Sequence, residues 1–526
     1  MNDVNSKIRR QAPLAKYAFA FALGIAFSRY FEVGLNVLLA LFVLAGALLA
    51  HCFIANKKFR LPAIISTFIA GAIISTPSPN PYPDFTSQEA ELEIFAIRVS
   101  RNQKGASYGV GKILSASKNF EASKGREIWF YAKDRQDIAR GDKIKGNFIV
   151  RKVEKEDGFN NYLLNQNILF NAYSAEKIEI ERAKFPYLLY NSARKYIAEK
   201  LSVFYRGLDA EKEGARAFRA MILGDKSYLS DDAKNNFKLT GTMHIFAVSG
   251  LHVGMLASII YFILNLARIP RKAAPLISLP ILFLYVNVCQ AAPSAMRAFI
   301  MISAVWISYA FLRKPKTFAS LVAAFFISLV FNPSNLFDAG FALSYSVVVA
   351  IVLYAAELDE NLSEKMQKLR GFELKNPPLP RRIYLKCERW LIMGLCIGVS
   401  AMFASAPLCS CYFGYVPLLS AILSIPFVLG ATLSVACGAA SVILPDFLCP
   451  ITNSIAAFIL EIMLNSAKIF SDFAVALNVK ISPVAAFAGE WAILASLILY
   501  PKIKSPAKWI LPPAISFTTL LSAFIF

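Results

Sequence analysis

Long apolar runs recur along this chain, and they limit what it can fold into more than any other feature. Three open the sequence, at about Tyr17–Phe31, Leu35–Ile54 and Leu61–Ser75. After a hydrophilic block, further runs lie at about 244–267, 274–291, 295–312, 317–332, 339–356, 391–412, 417–444, 483–500 and 508–525. Runs near or above about eighteen residues form bilayer-spanning helices. Because only 17% of the residues are charged as well, we predict a polytopic α-helical membrane protein.

Basic residues between the runs predict the orientation of the chain. Lys and Arg cluster at 7–16, 57–60, 268–272, 313–316, 365–389 and 502–508. Cytoplasmic loops are enriched in these residues, and all of these clusters lie on one side if the N-terminus is cytoplasmic. Residues 77–241 are then extracytoplasmic, and the cell inner membrane is the expected location. Two stretches stay ambiguous: 417–444 could form two broken half-helices, and Pro450–Val479, interrupted by Glu461, could be an interfacial helix.

The hydrophilic block follows a proline-rich linker and is predicted to be a small β-domain. Its short alternating runs include 91–98, 127–131 and 143–150, and Gly and Asn turns separate them. About five such strands form a small barrel. The block contains none of the eight cysteines, so neither a disulfide nor a zinc–thiolate site is expected in it.

This β-domain is strongly basic. Between Ile94 and Lys152 there are 14 Lys and Arg residues against 5 Asp and Glu residues. Such an excess predicts an anionic ligand, and the interleaved aromatic side chains can stack nucleic-acid bases. The alternative is a solvated basic barrel in which at least half of the aromatic side chains fill the core. The capture candidates are Arg98, Arg101, Lys112, Lys124, Arg126, Trp129, Tyr131, Arg135, Lys143 and Lys145.

The stretch that follows the β-domain has apolar residues at helical spacing among charged ones. This pattern predicts helices that lie along the outer membrane interface. The chain therefore divides into N-terminal membrane helices at 1–76, the β-domain at 77–183, interfacial helices at 184–241 and a second membrane domain at 242–526.

Two of the three histidines, His244 and His252, lie with Ser249 in one predicted membrane helix. At about 100° per residue the three side chains share less than half of the helix circumference, where polar groups usually face the bundle interior or a watery cavity. Packing, pore lining and hydrolysis by a Ser–His pair are the alternatives, although no acidic residue nearby in sequence would orient that pair. Gly250 and Gly254 form a small-xxx-small pair that would let another helix approach closely.

Later segments supply further candidates. Pro293 and Ser294 predict the start of a helix, and Arg297 lies in its first turns. Its side chain could either contact phosphate at a channel mouth or extend to the interface. Asp338 is a predicted N-cap at the same membrane face, where it could pair with Arg297. Pro and Gly residues between Ala406 and Pro426 predict broken helices that line a cavity or pack within protein.

Together these segments resemble the signature of the ComEC competence family. The most specific part runs from Arg219-Ala-Met-Ile-Leu-Gly-Asp225 to His244-Ile-Phe-Ala-Val-Ser-Gly-Leu-His-Val253, and 292–297, 338–344 and 407–426 resemble later blocks in the same order. The resemblance implies an OB-fold external domain, a competence membrane domain and passage of one DNA strand during natural transformation. It also implies candidate channel positions, which are Asp225, His244, Ser249, Gly250, His252, Arg297 and Asp338.

The sequence departs from the family in its chemistry. Many members carry a C-terminal metallo-β-lactamase-like domain thought to degrade the other strand, but this sequence has three histidines and no His-x-His-x-Asp-His cluster. It also has no ATP-binding P-loop, so no enzymatic activity, metal or cofactor is expected. The expected partners are single-stranded DNA, the lipid bilayer, a cytoplasmic ATP-driven helicase or translocase, a periplasmic DNA receptor and a separate nuclease. The rival functions are secondary transport of small anions and intramembrane hydrolysis by Ser249 and His252.

Overall fold

Three apolar helices open the fold, as the hydropathy predicts. They are α1 (Ala15–Tyr30), α2 (Leu35–Ile54) and α3 (Arg60–Ser75). A Cβ atom on Gly24 would lie 1.8 Å from the carbonyl oxygen of Phe68, so glycine is what allows α1 and α3 to cross closely. The computed structural model describes residues 15–30, 35–54, 60–75, 87–102, 105–133, 137–154, 158–174, 178–204, 211–311, 317–370, 378–473, 476–499 and 509–522.

A six-stranded sheet follows, and it confirms the predicted OB-like domain. Its strands are β1 (Ser87–Arg101), β2 (Ser107–Ala116), β3 (Glu127–Ala132), β4 (Lys143–Lys152), β5 (Phe170–Ser174) and β6 (Glu179–Glu181). The ladders run from β1 through β2, β3 and β5 to β4, and β4 pairs with β1 again, so the hydrogen bonding returns to the first strand. A short helix, α4 (Gly158–Asn165), connects β4 to β5.

The sheet domain has its own apolar core. Phe120, Phe130 and Phe148 are fully buried in it, with alternate residues of β1 such as Leu92 and Ile94. Three further aromatic residues of the sheet domain, Tyr108, Trp129 and Tyr131, stay only partly buried. Half of these side chains therefore fill the core, as barrel packing requires, and half remain available at the surface.

The next three helices, for which an interfacial position is predicted, differ in how deeply they are buried. They are α5 (Tyr187–Lys200), α6 (Glu213–Leu223) and α7 (Asp231–Leu239). No residue of α5 is buried, but eight residues of α6 are, and the backbone N–H of Gly214 donates to the Glu461 carboxylate at 2.8 Å. The charged residues of α6 suggest a helix face that lies in solvent. Arg216 nevertheless donates to the Tyr228 carbonyl, and the Arg219 side chain lies 3.7 Å from that of Glu211. Their partners are local, which leaves α6 free to enter the core.

The remaining helices form the membrane bundle. They are α8 (Gly250–Leu266), α9 (Ala273–Val288), α10 (Pro293–Phe311), α11 (Thr317–Phe331), α12 (Ala339–Ala350), α13 (Ala356–Arg370), α14 (Leu379–Phe413), α15 (Ser420–Ile443), α16 (Cys449–Asp472), α17 (Pro483–Leu499) and α18 (Leu511–Leu521). A π-helical segment, Ile351–Ala355, joins α12 to α13. Among the described residues, five helices are long and apolar enough to cross a membrane, and shorter apolar helices accompany them.

The ambiguous stretches are resolved. α15 is one continuous helix although Pro426 lies within it, so 417–444 does not form two broken halves. α16 has 24 residues, and its length and composition suffice to cross a membrane although it contains Glu461. α14 also continues through Pro407, which contradicts the predicted break at that position. A proline removes one backbone hydrogen bond, and packing within a helical bundle tolerates that loss.

Candidate functional site

The His–Ser–Gly–Leu–His block is a turn and a helix start, and the single membrane helix predicted for it is wrong. Met243–Phe246 forms a 3-10 turn, and α8 begins only at Gly250. The helical-wheel argument for the three polar side chains therefore does not apply. The turn is possible because Gly241, which precedes it, adopts a φ of +73°.

Ser249 and His252 cap α8. The backbone N–H of Ser249 donates to Nδ1 of His252 at 3.3 Å, which is the role that Glu or Gln has at the third position of a capping box. Since Nδ1 accepts this hydrogen bond, Nε2 carries the hydrogen of the neutral ring. His252 is 1% exposed, and its Nε2 has no hydrogen-bond partner among the described residues. The Ser249 backbone, rather than its hydroxyl, thus occupies the histidine nitrogen that a nucleophile would need.

At the two glycines of α8, no neighbouring helix approaches so closely that only glycine would fit. A Cβ atom on Gly250 would lie 3.8 Å from Ala298, and one on Gly254 would meet no atom within 4 Å. The close approach predicted from this small-xxx-small pair is therefore wrong within the described part of the chain. Gly250 is exposed instead.

His244 is exposed, in contrast to His252. Its Nδ1 lies 3.2 Å from the Gly241 carbonyl oxygen, which can only accept, so Nδ1 carries the hydrogen. The surrounding protein lowers the pKa of His244, the hydrogen bond to Gly241 opposes this effect, and the positive charge of Lys226 lowers the pKa further.

Asp225 ties three segments together. One carboxylate oxygen accepts from the backbone N–H and the hydroxyl of Ser227, at 3.1 and 2.7 Å, and the other lies 3.1 Å from Arg194. Arg194 also donates to the carbonyl oxygens of Leu223 and Val288, at 2.8 Å each. The carboxylate is therefore fully engaged and holds α5, α6 and the end of α9 in place.

Arg297 and Asp338 form the pair that the sequence predicts. Their side chains lie 3.7 Å apart, and each residue is only 7% exposed, so Arg297 does not extend to the interface. Asp338 also caps α12 by accepting from the Phe341 backbone N–H at 2.7 Å. Its second oxygen accepts from Gln166 of the sheet domain at 2.6 Å, which connects the two domains.

A second connection between the domains was not predicted. The Gln290 side chain accepts from the backbone N–H of Val99 at 2.7 Å and donates to its carbonyl at 2.6 Å, so it pairs with β1 as a strand would. Nearby, Arg140 donates to the side chain of Asn287 at 3.0 Å. The only sequence signal was a pair of amide residues at the end of an apolar run.

Three of the eight basic capture candidates of the sheet domain have carboxylate partners. Lys143 lies 3.0 Å from Glu181, Lys145 lies 3.5 Å from Glu91, and Arg101 pairs with Asp137. Lys112 lies opposite Glu127 across β2 and β3, and burial raises the pKa of Glu127 while Arg98 and Lys112 oppose that rise. Lys124 is exposed and Arg126 is partly buried, whereas Arg135 lies outside the described residues.

An aromatic row crosses the sheet on three neighbouring strands. Tyr108 on β2 lies opposite Tyr131 on β3, which lies opposite Tyr173 on β5, so all three side chains share one face. The Tyr131 and Tyr173 rings are 6.2 Å apart, and the Arg151 guanidinium lies 5.6 Å from the Tyr173 ring. Trp129 stands beside the row, 5.8 Å from the ring of Tyr108. Trp129 and Tyr131 were predicted, while Tyr173 and Arg151 were missed because the strand pairing is not visible in the sequence.

Tyr108 stands at one end of the aromatic row. Burial raises the pKa of Tyr108, and the negative charge of Asp225 raises it further.

Comparisons with known proteins indicate the family of this chain. The family model described as Competence protein matches residues 221–504, which is more than half of the 526-residue chain. ComE operon protein 3 of Bacillus subtilis (strain 168) is 33% identical over 198 residues. That match covers 37% of this chain and 24% of the relative, so the chain spans about a quarter of that protein's length. No solved structure matches.

Proposed function

Because this chain belongs to the competence protein family, we propose that it is a channel that carries single-stranded DNA across the inner membrane during natural transformation. The observation that carries the proposal is the aromatic row, in which Tyr108, Tyr131 and Tyr173 share one face of the sheet domain. The tyrosine rings offer stacking surfaces that any base can use.

In this proposal the sheet domain captures the strand mainly by stacking. Three of its candidate cations already have carboxylate partners, so they contribute less to phosphate binding than their number suggests. Arg151 stands beside Tyr173 and can contact a phosphate while a base stacks on the ring. The +21 net charge of the chain attracts the polyanion over a longer range.

The proposed topology follows the positive-inside pattern. The N-terminus is cytoplasmic, residues 77–241 are extracytoplasmic, and the strand enters from that side. An ATP-driven helicase or translocase in the cytoplasm pulls the strand, a periplasmic receptor delivers it, and a separate nuclease removes the complementary strand. The bundle itself holds the path open and supplies neither of these chemical steps.

The rival functions have less support. Secondary transport of small anions would leave the aromatic row without a role. Hydrolysis would need a hydrogen bond between the Ser249 hydroxyl and His252, but the hydrogen bond that His252 accepts comes from the Ser249 backbone N–H.

The test is a double variant, Tyr131→Ala with Tyr173→Ala, in a transformable host that lacks its own copy of this protein. Each lost stacking contact is worth about 1–3 kcal/mol, so delivery of labelled DNA to the cytosol is expected to fall at least about tenfold. DNA that reaches the periplasm is scored separately and should not change. The matched control is Tyr384→Ala, which changes an exposed tyrosine near the N-terminal end of α14. This variant should leave delivery intact. Unchanged cytosolic DNA in the double variant would contradict the proposal.

A further inference from the structure

One glutamate lies inside the helical bundle without a partner. Glu490, near the middle of α17, is 5% exposed, and neither of its carboxylate oxygens has a hydrogen-bond partner among the described residues. Three other acids of the described chain are buried, and each has an arginine beside it. The distances are 3.0 Å for Asp142, 3.7 Å for Asp338 and 3.6 Å for Asp359. Glu490 is therefore the exception among the buried acids that the structure describes.

Glu490 belongs to the face of α17 that packs into the bundle. The buried residues Ala486, Glu490, Ile493 and Leu497 recur at intervals of three or four, so they form one stripe of the helix. Ile493 and Leu497 join an apolar cluster that also contains Phe403 of α14. The carboxyl group thus has apolar side chains one turn before it and one turn after it.

The next helix, α18, closes over the same part of α17. A Cβ atom on Gly489 would collide with the hydroxyl oxygen of Thr519, so the two helices touch at the residue before Glu490. The Thr519 hydroxyl donates to the Ile515 carbonyl at 2.7 Å, which engages it within its own helix. This contact therefore shields the region of Glu490 without supplying a hydrogen bond to it.

The elements packed against α17 bring no opposite charge to it. They are α12, the π-helical segment, α14 and α18, and α1 reaches α17 through the rings of Phe19 and Trp491, 4.7 Å apart. Neither α12, the π-helical segment nor α18 contains an acidic or basic residue. The charged residues of α14 lie within 381–389, about 35 Å along the helix from Tyr412. It is Tyr412 that packs here, with its ring centre 6.4 Å from that of Phe487.

The ionisable side chains of this region are mostly uncharged at neutral pH. The tyrosines and cysteines that these elements carry here are Tyr345, Tyr354, Cys409 and Tyr412. Two lysines lie at the ends of the packing: Lys16 of α1 stands over the ring of Tyr17 at 4.7 Å, and Lys480 is exposed before α17 begins. Neither donates a hydrogen bond to Glu490. An ionised Glu490 would therefore lack a counter-charge in this arrangement.

We infer that Glu490 is a proton-binding site, which holds a proton in the packed bundle and exchanges it with water when α17 and α18 move apart. A buried carboxylate without a cation or a donor is the costliest form of a buried charge, and the neutral acid avoids that charge. On opening, the O–H bond breaks, the proton passes to a water molecule and the carboxylate is solvated. On closing, the proton returns before the water is excluded.

Exchange follows from what the neutral acid lacks. Its own O–H group finds no acceptor among the described residues, so a permanently neutral Glu490 would pack less well than an apolar side chain. Ionisable residues within membrane bundles mark proton and ion pathways for this reason. A metal ion would need further oxygen ligands, and no group of three His, Cys, Asp or Glu residues in the described chain could hold one.

The first test is infrared spectroscopy of the full chain in nanodiscs, with Glu490→Gln as the reference. The spectrum of the wild type minus that of the variant should show the C=O stretch of a protonated carboxyl group at neutral pH. This band should disappear reversibly in alkaline buffer and shift in heavy water. The matched control is Glu364→Gln, an exposed glutamate of α13, whose difference spectrum should show only a carboxylate at neutral pH. If Glu490→Gln does not accumulate in the membrane, Glu490→Leu supplies the reference.

Three infrared results would overturn the inference. The first is a carboxylate band for Glu490 at neutral pH, which means that no proton is held. The second is a protonated band that neither titrates nor exchanges in heavy water, which makes Glu490 a structural acid only. The third is a band that sodium ions abolish at constant pH while choline does not, which makes the site one for a metal cation.

The second test measures delivery of labelled DNA to the cytosol in the transformable host, and it rests on the proposed function. Glu490→Gln cannot ionise, so it should favour the closed bundle and lower delivery at least about fivefold, the lower end of a typical coupling between two sites. Glu490→Asp keeps an exchangeable proton and should retain most of the delivery. Glu364→Gln should match the wild type.

The two proposals fail in different ways. If Glu490→Gln delivers DNA as the wild type does, while the tyrosine double variant does not, the link between proton exchange and opening is overturned and the channel stands. If the wild type delivers no more DNA than a strain without the gene, the channel proposal falls, and the infrared spectra still decide whether Glu490 binds a proton.

Discussion

Charged residues are used differently in the sheet domain and in the helical bundle. In the sheet domain, Lys145 and Glu91 pair across the surface with both side chains 58% exposed. In the bundle, Arg297 and Asp338 pair with side chains that are 9% exposed, and further hydrogen bonds surround them. Water solvates the first pair whether or not it forms, whereas the second pair has lost its water and depends on its partners.

This difference tells us how to read an unpaired charge. In the sheet domain a lysine without a partner is an ordinary solvated residue. In the bundle, the described charges are mostly tied into networks, because a polar group away from water depends on its partners.

The largest expected effect on stability comes from removing one partner of the buried Arg297–Asp338 pair. Asp338→Ala removes the partner of a buried guanidinium and the cap of α12, and it should lower the free energy of unfolding by about 3–5 kcal/mol. Lys145→Ala, its counterpart in the sheet domain, should cost less than about 1 kcal/mol. Chemical unfolding of the purified protein in detergent measures both.

Asp338→Asn is the control for this prediction. It keeps the oxygen that caps α12 and loses only the charge, so its cost should lie between the two. Equal costs for Asp338→Ala and Lys145→Ala would mean that burial does not separate the two pairs.

The second prediction concerns the contact between the two regions. Gln290→Ala removes both hydrogen bonds to Val99 and should cost about 1–3 kcal/mol of domain docking. Hydrogen exchange at the Val99 amide should accelerate, since its donor is then left to water. Gln290→Glu keeps the acceptor for this N–H and loses the donor, so it should protect the amide better than Gln290→Ala does. If exchange at Val99 is the same in all three proteins, Gln290 does not hold the sheet domain to the bundle.

The sequence predicts the class of fold well because the signals are local. Apolar runs locate most of the helices, and alternating residues locate the strands of the sheet. The Asp338 cap and its pair with Arg297 were also predictable, since a cap is a local pattern and both residues lie at one membrane face. Membership in the competence family is confirmed by the match over residues 221–504.

The sequence misses what depends on long-range partners. The burial of α6 requires Glu461, more than two hundred residues away, and the aromatic row requires the pairing of β3 with β5. The single helix predicted through His244 failed because apolar content hides a glycine turn at Gly241. The first two cases depend on residues that are distant in sequence, whereas the third depends on a local turn that the apolar pattern does not reveal.

The smallest expected effect is the pH-dependent stability from the exposed Lys143–Glu181 pair of the sheet domain. Lys143 donates a hydrogen bond to Glu181, which lowers the pKa of Glu181 below its ordinary value of 4.5. A carboxyl group whose pKa is lowered by folding stabilises the folded protein fully above pH 4.5. This stabilisation is lost as the pH falls through the lowered pKa. The same contact raises the pKa of Lys143 above 10.5, so its contribution is full below that value and is lost as the pH rises through the raised one.

Glu181→Gln should therefore lower the unfolding midpoint slightly at neutral pH, and the difference from the wild type should vanish in acid. Glu179→Gln, on the same strand, is the matched control and should show a smaller difference at every pH. The effect of Glu181→Gln should be well below those of Asp338→Ala and Gln290→Ala, because water screens this exposed pair. A difference that persists in acid would place the effect in packing rather than in charge, and the sheet domain would then resemble the bundle in how its charged residues act.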